Sequence, residues 1–154
     1  MSDRDTVKAI IEEIRDILAT DETLLALIPP VPPADEGALR YYHVWAPPNC
    51  HFPYFSVTVG IRDEQDESSY QVADIELKIW DADPSSGRVL DMRKRVVGLL
   101  NRRTIECDEF RGHGLRFVSD FDLADPEQEL WARPMMWTMR VYPTAEVADM
   151  KARV

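Results

Sequence analysis

The chain contains little glycine, cysteine or histidine. Of its 154 residues only six are glycine, two are cysteine and three are histidine. With so few glycines, we find neither a phosphate-cradling loop nor a nucleophile elbow. The two cysteines, Cys50 and Cys107, lie far apart and match no metal-binding or redox spacing. We therefore expect two reduced thiols rather than a disulfide.

The sequence also lacks long apolar runs and an excess of positive charge. No apolar run approaches the roughly 20 residues that span a bilayer, and the start MSDRDTVK has no apolar signal-peptide core. Lys and Arg number 18 against 28 Asp and Glu, which gives a net charge of −10. Because sequence-independent binding to nucleic acid needs a cationic surface, this charge argues against it. It argues equally against an anionic membrane as a partner.

What remains has the composition of one soluble globular domain covering residues 1–154. Hydrophobic residues make up 45% of the chain and charged residues 30%. Seven of the eleven prolines lie between Pro29 and Pro53, together with several aromatic residues. Because aromatic residues are rare in free linkers, residues 29–52 are predicted to form an ordered but irregular arm. Residues 144–154 are expected to form a short helix or a frayed tail.

Hydrophobic periodicity predicts two main helices. Apolar residues recur along one helical face from Val7 to Leu18, and a short helical turn, DETLLALI, then stops at Pro29. A central helix is predicted from about Pro84 to Asn101. These helices alternate in sequence with the predicted strands.

Alternating apolar and polar residues predict two β-hairpins. The first joins residues 55–61 to residues 73–79, and the second joins residues 115–123 to residues 131–142. Pro134 lies inside the last run, so that strand is predicted to be an edge strand or to be bulged there. The expected fold is α+β, an antiparallel sheet of about four strands with the N-terminal and central helices packed on one face.

The stretch IWDADPSSGRVLD at positions 79–91 resembles a calcium loop at first sight. An EF-hand loop that began at Asp81 would need glycine at its sixth position and glutamate at its twelfth. The residues there are Ser86 and Met92, so the calcium interpretation fails. Instead, Asp83 is predicted to cap the central helix and Pro84 to occupy its first position, with the cap contributing ~1 kcal/mol.

No arrangement of residues predicts catalysis or a bound cofactor or metal. The 28 acidic residues present no pair that stands out as a general acid and base. His43, His51 and His113 occur singly, and the adjacent side chains of Cys50 and His51 need not converge. We expect a protein that is not an enzyme, and Cys50 and His51 are the weak candidates for a hydrolase or ligand-binding domain.

The central helix carries an unusual distribution of arginine. Arg93 falls within the apolar face, where it must either extend its charge to solvent or pair with a carboxylate in the core or at an interface. Arg88, Arg95 and Arg102 repeat every seven residues along the polar side. The stretch RDEQDESS gathers negative charge at the tip of the first hairpin.

Separated patches of opposite charge favour head-to-tail self-association, in which one patch contacts the other on the next copy. Solvated charge alone is the alternative explanation. The candidate subunit-interface residues are Arg88, Arg93, Arg95, Arg102, Asp63, Glu64, Asp66 and Glu67.

The order and spacing of these segments resemble the tail terminator, or tail-completion, proteins of long-tailed bacteriophages. The resemblance covers roughly Thr6 to Pro143 and depends on the whole series rather than on one motif. Its segments are DETLLALIPP, PYFSVTVG, VADIELKIWD, PSSGRVLDMRKRVVGLLN, LRFVSDFDLADPE and LWARPMMWTMRVYP. The chain departs from the family in the proline- and aromatic-rich arm, which is bulkier than usual.

This resemblance implies a structural virion protein that forms a ring, usually a hexamer, at the head-proximal end of the tail tube. Such a ring stops tube polymerisation and provides the head–tail joining surface. The implied partners are other copies, the major tail tube protein and a head-completion or neck protein, with assembly in the host cytoplasm. An acidic lumen would let DNA pass without specific binding. The alternatives are another head–tail connector or adaptor, and the small α+β hydrolase or ligand-binding domain.

Overall fold

The computed structural model describes residues 3–29, 39–63, 70–82, 87–125, 127 and 129–143. These residues form three helices and seven strands. In chain order the elements are α1 (Asp3–Ala19), α2 (Glu22–Leu25), β1 (Tyr41–His43), β2 (Tyr54–Asp63), β3 (Gln71–Asp81), α3 (Gly87–Leu100), β4 (Ile105–Glu106), β5 (Phe110–Asp120), β6 (Leu123–Asp125) and β7 (Leu130–Pro143).

The strands form a single sheet in the order β1-β2-β3-β7-β5-β4, with β6 paired to β7 beside the end of β5. β1 is parallel to β2, and the other pairs are antiparallel. The α+β class is confirmed, and the predicted hairpins form the centre of the sheet. The expected count of about four strands is too low, because β1, β4 and β6 contain only two or three residues each. Runs this short show no measurable alternation.

The hydrophobic core lies between the helices and one face of the sheet. Val57, Leu77 and Met135 share a cross-strand row on this face, and all three are buried. α1 packs against β2, and α3 packs against β3 and β5. The buried apolar side chains of α1 in the core are Ala9, Ile10, Ile14 and Leu18. The helices therefore bury their apolar faces on the side where the strands place their own.

The opposite face of the sheet is polar and aromatic. The rings of Tyr54 and Trp80 stack with centroids 6.0 Å apart, and the indole N–H of Trp80 donates to Ser56 Oγ at 3.0 Å. Lys78 Nζ lies 3.1 Å from Glu76 Oε1 on the same face. The two faces of β3 therefore differ as the alternation in its sequence predicts.

Pro134 does not mark an edge strand, because β7 lies between β3 and β5 in the sheet. Pro134 sits where the partner of β7 changes from β5, which ends at Asp120, to β6, which begins at Leu123. Its carbonyl accepts from the N–H of Phe121 at 3.3 Å. In antiparallel pairing the N–H and C=O of one residue point to the same neighbour. The donor that proline lacks therefore faces the break between two strands, where its loss costs little.

The part of the predicted arm that the structure describes, Pro29 and residues 39–52, includes β1 and contacts the rest of the domain. Arg40 is buried and donates to the carbonyls of Pro53 and Phe52, each at 3.1 Å. The Tyr41 hydroxyl donates to the Ile11 carbonyl on α1 at 2.9 Å. These bonds hold the arm against the domain. Residues 30–38, residues 144–154 and the proposed helix cap at Asp83 and Pro84 lie outside the described residues.

Candidate functional site

Arg88, the first candidate interface residue, pairs with a carboxylate of its own chain. Asp81 ends β3 and is 0% exposed, and it receives two hydrogen bonds from Arg88, Nε to Oδ2 at 2.7 Å and Nη2 to Oδ1 at 2.5 Å. Asp81 Oδ1 also accepts from the backbone N–H of Ala82 at 2.8 Å. Arg88 therefore anchors the first turn of α3 on the end of a core strand.

Arg95 also forms a bidentate ion pair with a carboxylate of its own chain. Its Nε donates to Asp21 Oδ2 at 2.8 Å and its Nη2 to Oδ1 at 2.6 Å. Asp21 is the N-cap of α2 and accepts from the backbone N–H of Leu24 at 2.8 Å. One carboxylate thus caps α2 and ties it to α3.

Arg93 belongs to a group of four charged residues that we call the Asp120 cluster, which comprises Arg93, Asp120, Asp122 and Arg133. Asp120 Oδ2 accepts from Arg93 Nε at 2.5 Å and from Arg133 Nε at 2.7 Å. Arg133 Nη1 reaches Asp122 Oδ1 at 2.5 Å. The Arg93 guanidinium also lies over the ring of Phe117, 5.2 Å from its centre. Arg93 therefore pairs with a carboxylate at the edge of the core, the second of the two possibilities its position allows.

The remaining candidates lie at the ends of elements. Arg102 follows α3, is exposed, and adopts a φ of 68° while its N–H donates to the Leu115 carbonyl at 2.6 Å. Asp63 ends β2 and accepts from the Gln71 side chain at 2.9 Å. The rest of the acidic stretch, Glu64, Asp66 and Glu67, lies outside the described residues. A role in subunit contacts stays a prediction for all eight candidates.

The arginine pairs lower the pKa of two carboxyl groups. The hydrogen bond from Arg95 lowers the pKa of Asp21 against the opposing effect of burial. Burial by itself raises the pKa of Asp120, but the hydrogen bonds and charges of Arg93 and Arg133 outweigh it, and the pKa lies below the usual value. Both groups therefore favour the ionised form in the folded state.

The depressed pKa values predict a specific loss of stability in acid. A carboxyl group whose folded pKa is below its unfolded value of about 3.8 stabilises the fold above that pH. This contribution is lost as pH falls through the folded pKa. We therefore expect the free energy of unfolding to decrease as the pH is lowered below about 4. An Asp21→Asn/Asp120→Asn double variant should lose less of its free energy of unfolding on acidification than the wild-type protein does. Urea unfolding at a series of pH values measures how the free energy of unfolding depends on pH in the wild type and in the double variant. Equal pH dependences would contradict the assignment of the acid loss to Asp21 and Asp120.

The hydrogen-bond partners of the Cys50 thiol are a side-chain hydroxyl and a backbone carbonyl. Its Sγ lies 3.4 Å from the Tyr42 hydroxyl and 3.5 Å from the His51 backbone carbonyl, and its single S–H can donate to either. Both cysteines are free thiols. Within the described residues, no group of three or more His, Cys, Asp or Glu is placed to hold a metal ion. In the same part of the chain, no helix is long and apolar enough to cross a membrane.

Two exposed apolar patches are features that sequence reasoning did not identify. We name them the β1-edge patch, which is Val44 and Trp45, and the β6-edge patch, which is Val118, Phe121 and Leu123. Trp45 is 84% exposed and Phe121 is 51% exposed. The acidic partners Asp21, Asp81, Asp120 and Asp122 were also missed as partners, because they lie between 7 and 74 residues from the arginines that they bind.

Comparison with known proteins gives a match in fold. No protein-family model matches the chain, and no curated protein matches it significantly. Among solved structures, the chain is similar to a chain of the "Virion of native gene transfer agent (GTA) particle", with a TM-score of 0.70 and 16% sequence identity. The match covers 85% of this chain and 92% of the other, so nearly the whole domain shares that fold.

Proposed function

We propose that this chain is a structural protein of a phage-like virion. The observation that carries the proposal is the match in fold to a virion chain, with a TM-score of 0.70 over 85% of this chain. A large insertion or truncation in either chain would leave part of one chain unmatched. Instead, the match also covers 92% of the virion chain. The correspondence is therefore between whole domains.

Within that class we propose the role of a tail terminator, a ring of copies, expected to be six, on the head-proximal end of the tail tube. The resemblance of the chain to tail terminators in the order of its segments supports this role. The charged side chains of α3 are consistent with this role, because their bonds to Asp81, Asp21 and Asp120 join α3 to the sheet and to α2. A ring that caps a tube must match the tube end geometrically, so the relative positions of these elements matter.

The proposed ring would have two different faces. One face complements the growing end of the tube and binds the tail tube protein. The other does not accept another tube subunit and presents the surface for the head-completion or neck protein. The net charge of −10 is consistent with a lumen that DNA crosses without binding.

Tube elongation in the presence of the protein tests the role. Purified tube protein is polymerised with and without this chain, and tube lengths are measured by electron microscopy. We expect shorter tubes that no longer extend when fresh tube protein is added. A protein that binds tube ends only after another protein has stopped their growth would be an adaptor. Tubes of unchanged length without bound protein would overturn the proposal.

A further inference from the structure

We propose that copies of this chain associate head to tail, with the β6-edge patch of one copy against the β1-edge patch of the next. This inference rests on the proposed function, since it names the contact that builds the ring. The described residues include six large hydrophobic side chains that are exposed, and five of them belong to these two patches. Apolar groups concentrated at two places mark sites of association.

The two patches lie at opposite ends of one cross-strand row of the sheet. The Val44 N–H donates to the Val57 carbonyl at 3.0 Å, which fixes the β1-edge patch beside β2. At the other end of the row, Phe121 directly follows Asp120. The row runs in order through His43, Val57, Leu77, Met135 and Asp120. Four strand spacings of about 4.8 Å separate its outer strands, roughly 19 Å along the sheet.

Patches at opposite edges of one row suit a repeated contact between copies. A copy placed beside the first, with its strands in the same direction, brings its β1-edge patch next to the β6-edge patch already there. Such a contact joins two different surfaces, so it leaves one surface free at each end. Contacts of this kind generate a ring when the rotation between copies closes.

Both patches are held in place by the fold before any partner binds. The Asp120 cluster fixes both sides of Phe121, because Arg133 bonds to Asp120 and Asp122. On the other edge, the backbone N–H of Trp45 donates to the His43 carbonyl at 2.8 Å. Fixed backbones reduce the entropy lost on association.

The charges around the patches are complementary. Carboxylates lie within and after the β6-edge patch: Asp122, which is exposed and pairs with Arg133, and the exposed Glu127 and Glu129. Beside β1, a groove of about 460 Å³ is lined by two cations, Lys8 and Arg15, and one carboxylate, Glu12, and otherwise by Val7, Ile11, Tyr41 and His43. Within the part of the chain that the structure describes, these two cations form ion pairs with exposed carboxylates of their own helix, Lys8 with Glu12 at 4.0 Å and Arg15 with Asp16 at 3.4 Å. Such pairs contribute little, so both cations are available to a partner's carboxylates.

Mixing two single variants tests the head-to-tail contact. Trp45→Asp disables one patch and Phe121→Asp the other, and neither side chain belongs to the core. By native mass spectrometry, we expect wild-type rings and no rings from either variant alone. An equal mixture should give 1:1 heterodimers and nothing larger, because it offers one intact pair of patches. Thr23→Asp, which adds the same charge at an exposed position of α2, is the matched control and should form rings.

The outcomes separate this inference from the proposed function. Rings from either Asp variant, or a mixture without heterodimers while the wild type forms rings, would overturn the contact and leave the terminator role standing. A wild-type protein that neither forms rings nor stops tube growth would overturn the role and the contact together. Circular dichroism verifies the fold of each variant, and Trp45→Ser and Phe121→Ser replace any Asp variant that does not fold.

Discussion

Replacing Arg88 with methionine is expected to lower the free energy of unfolding by about 3 kcal/mol. Asp81 has no exposed surface, so its carboxylate would remain buried without the guanidinium that pairs with it. Methionine keeps most of the apolar stem of arginine, and the loss therefore reports the charge and its two hydrogen bonds. Chemical denaturation followed by circular dichroism measures the change.

Arg111→Met is the matched control for this prediction. Arg111 Nε lies 2.9 Å from Glu106 Oε1, but both side chains are at least 60% exposed. An exposed ion pair contributes about 0–1 kcal/mol. An equal decrease in the free energy of unfolding in Arg88→Met and Arg111→Met would show that the burial of Asp81 does not determine the size of the effect.

Replacing Asp120 with asparagine is expected to lower the free energy of unfolding by about 2 kcal/mol. Asp120 receives hydrogen bonds from Arg93 on α3 and from Arg133 on β7, and its side chain is only 10% exposed. Asparagine fills the same space without the negative charge, so two guanidinium groups lose their shared partner. Denaturation at neutral pH measures the loss.

Asp122→Asn provides the comparison, because Asp122 also bonds to Arg133 but is 65% exposed. The decrease in the free energy of unfolding of Asp122→Asn should stay below about 1 kcal/mol, as for other exposed ion pairs. A greater loss at Asp122 than at Asp120 would contradict the central place of Asp120 in the cluster. Both variants also alter the support of Phe121, so both should weaken association between copies, Asp120→Asn more than Asp122→Asn.

The regular part of the fold is predictable from the sequence because each long element carries its own period. The first hairpin shows it: Phe55 and Val57 alternate with Tyr54 and Ser56, and the structure pairs this strand with β3 in register. β1, by contrast, has three residues and depends on the parallel neighbour β2 for its hydrogen bonds. Nothing local in its sequence specifies that neighbour.

The charged residues show the same limit. The apolar positions around Arg93 indicated that its charge must either reach solvent or pair with a carboxylate, and in the structure it pairs with one. The sequence could not identify Asp120 as that carboxylate, because the two residues meet only through the packing of α3 on the sheet. For Arg95 the pattern indicated an exposed stripe, whereas the structure engages it with the cap of α2. A helical period gives the direction of a side chain but not the element that it meets.

These pairs also change the interpretation of the proposed interface. Arg88, Arg93 and Arg95 each bind a carboxylate of their own chain, so contacts to another copy would have to form in addition to those bonds. The exposed Trp45 and Phe121 need no such exchange, because their side chains already face solvent. Burial of apolar surface is therefore the simpler driving force for association.

Electron microscopy of purified tail tubes incubated with the protein tests the terminator role most directly. We predict a ring of copies related by rotational symmetry, seated at one end of each tube, with the β6-edge patch of every copy next to the β1-edge patch of its neighbour. Bare tube ends beside a protein that stays monomeric would contradict the account.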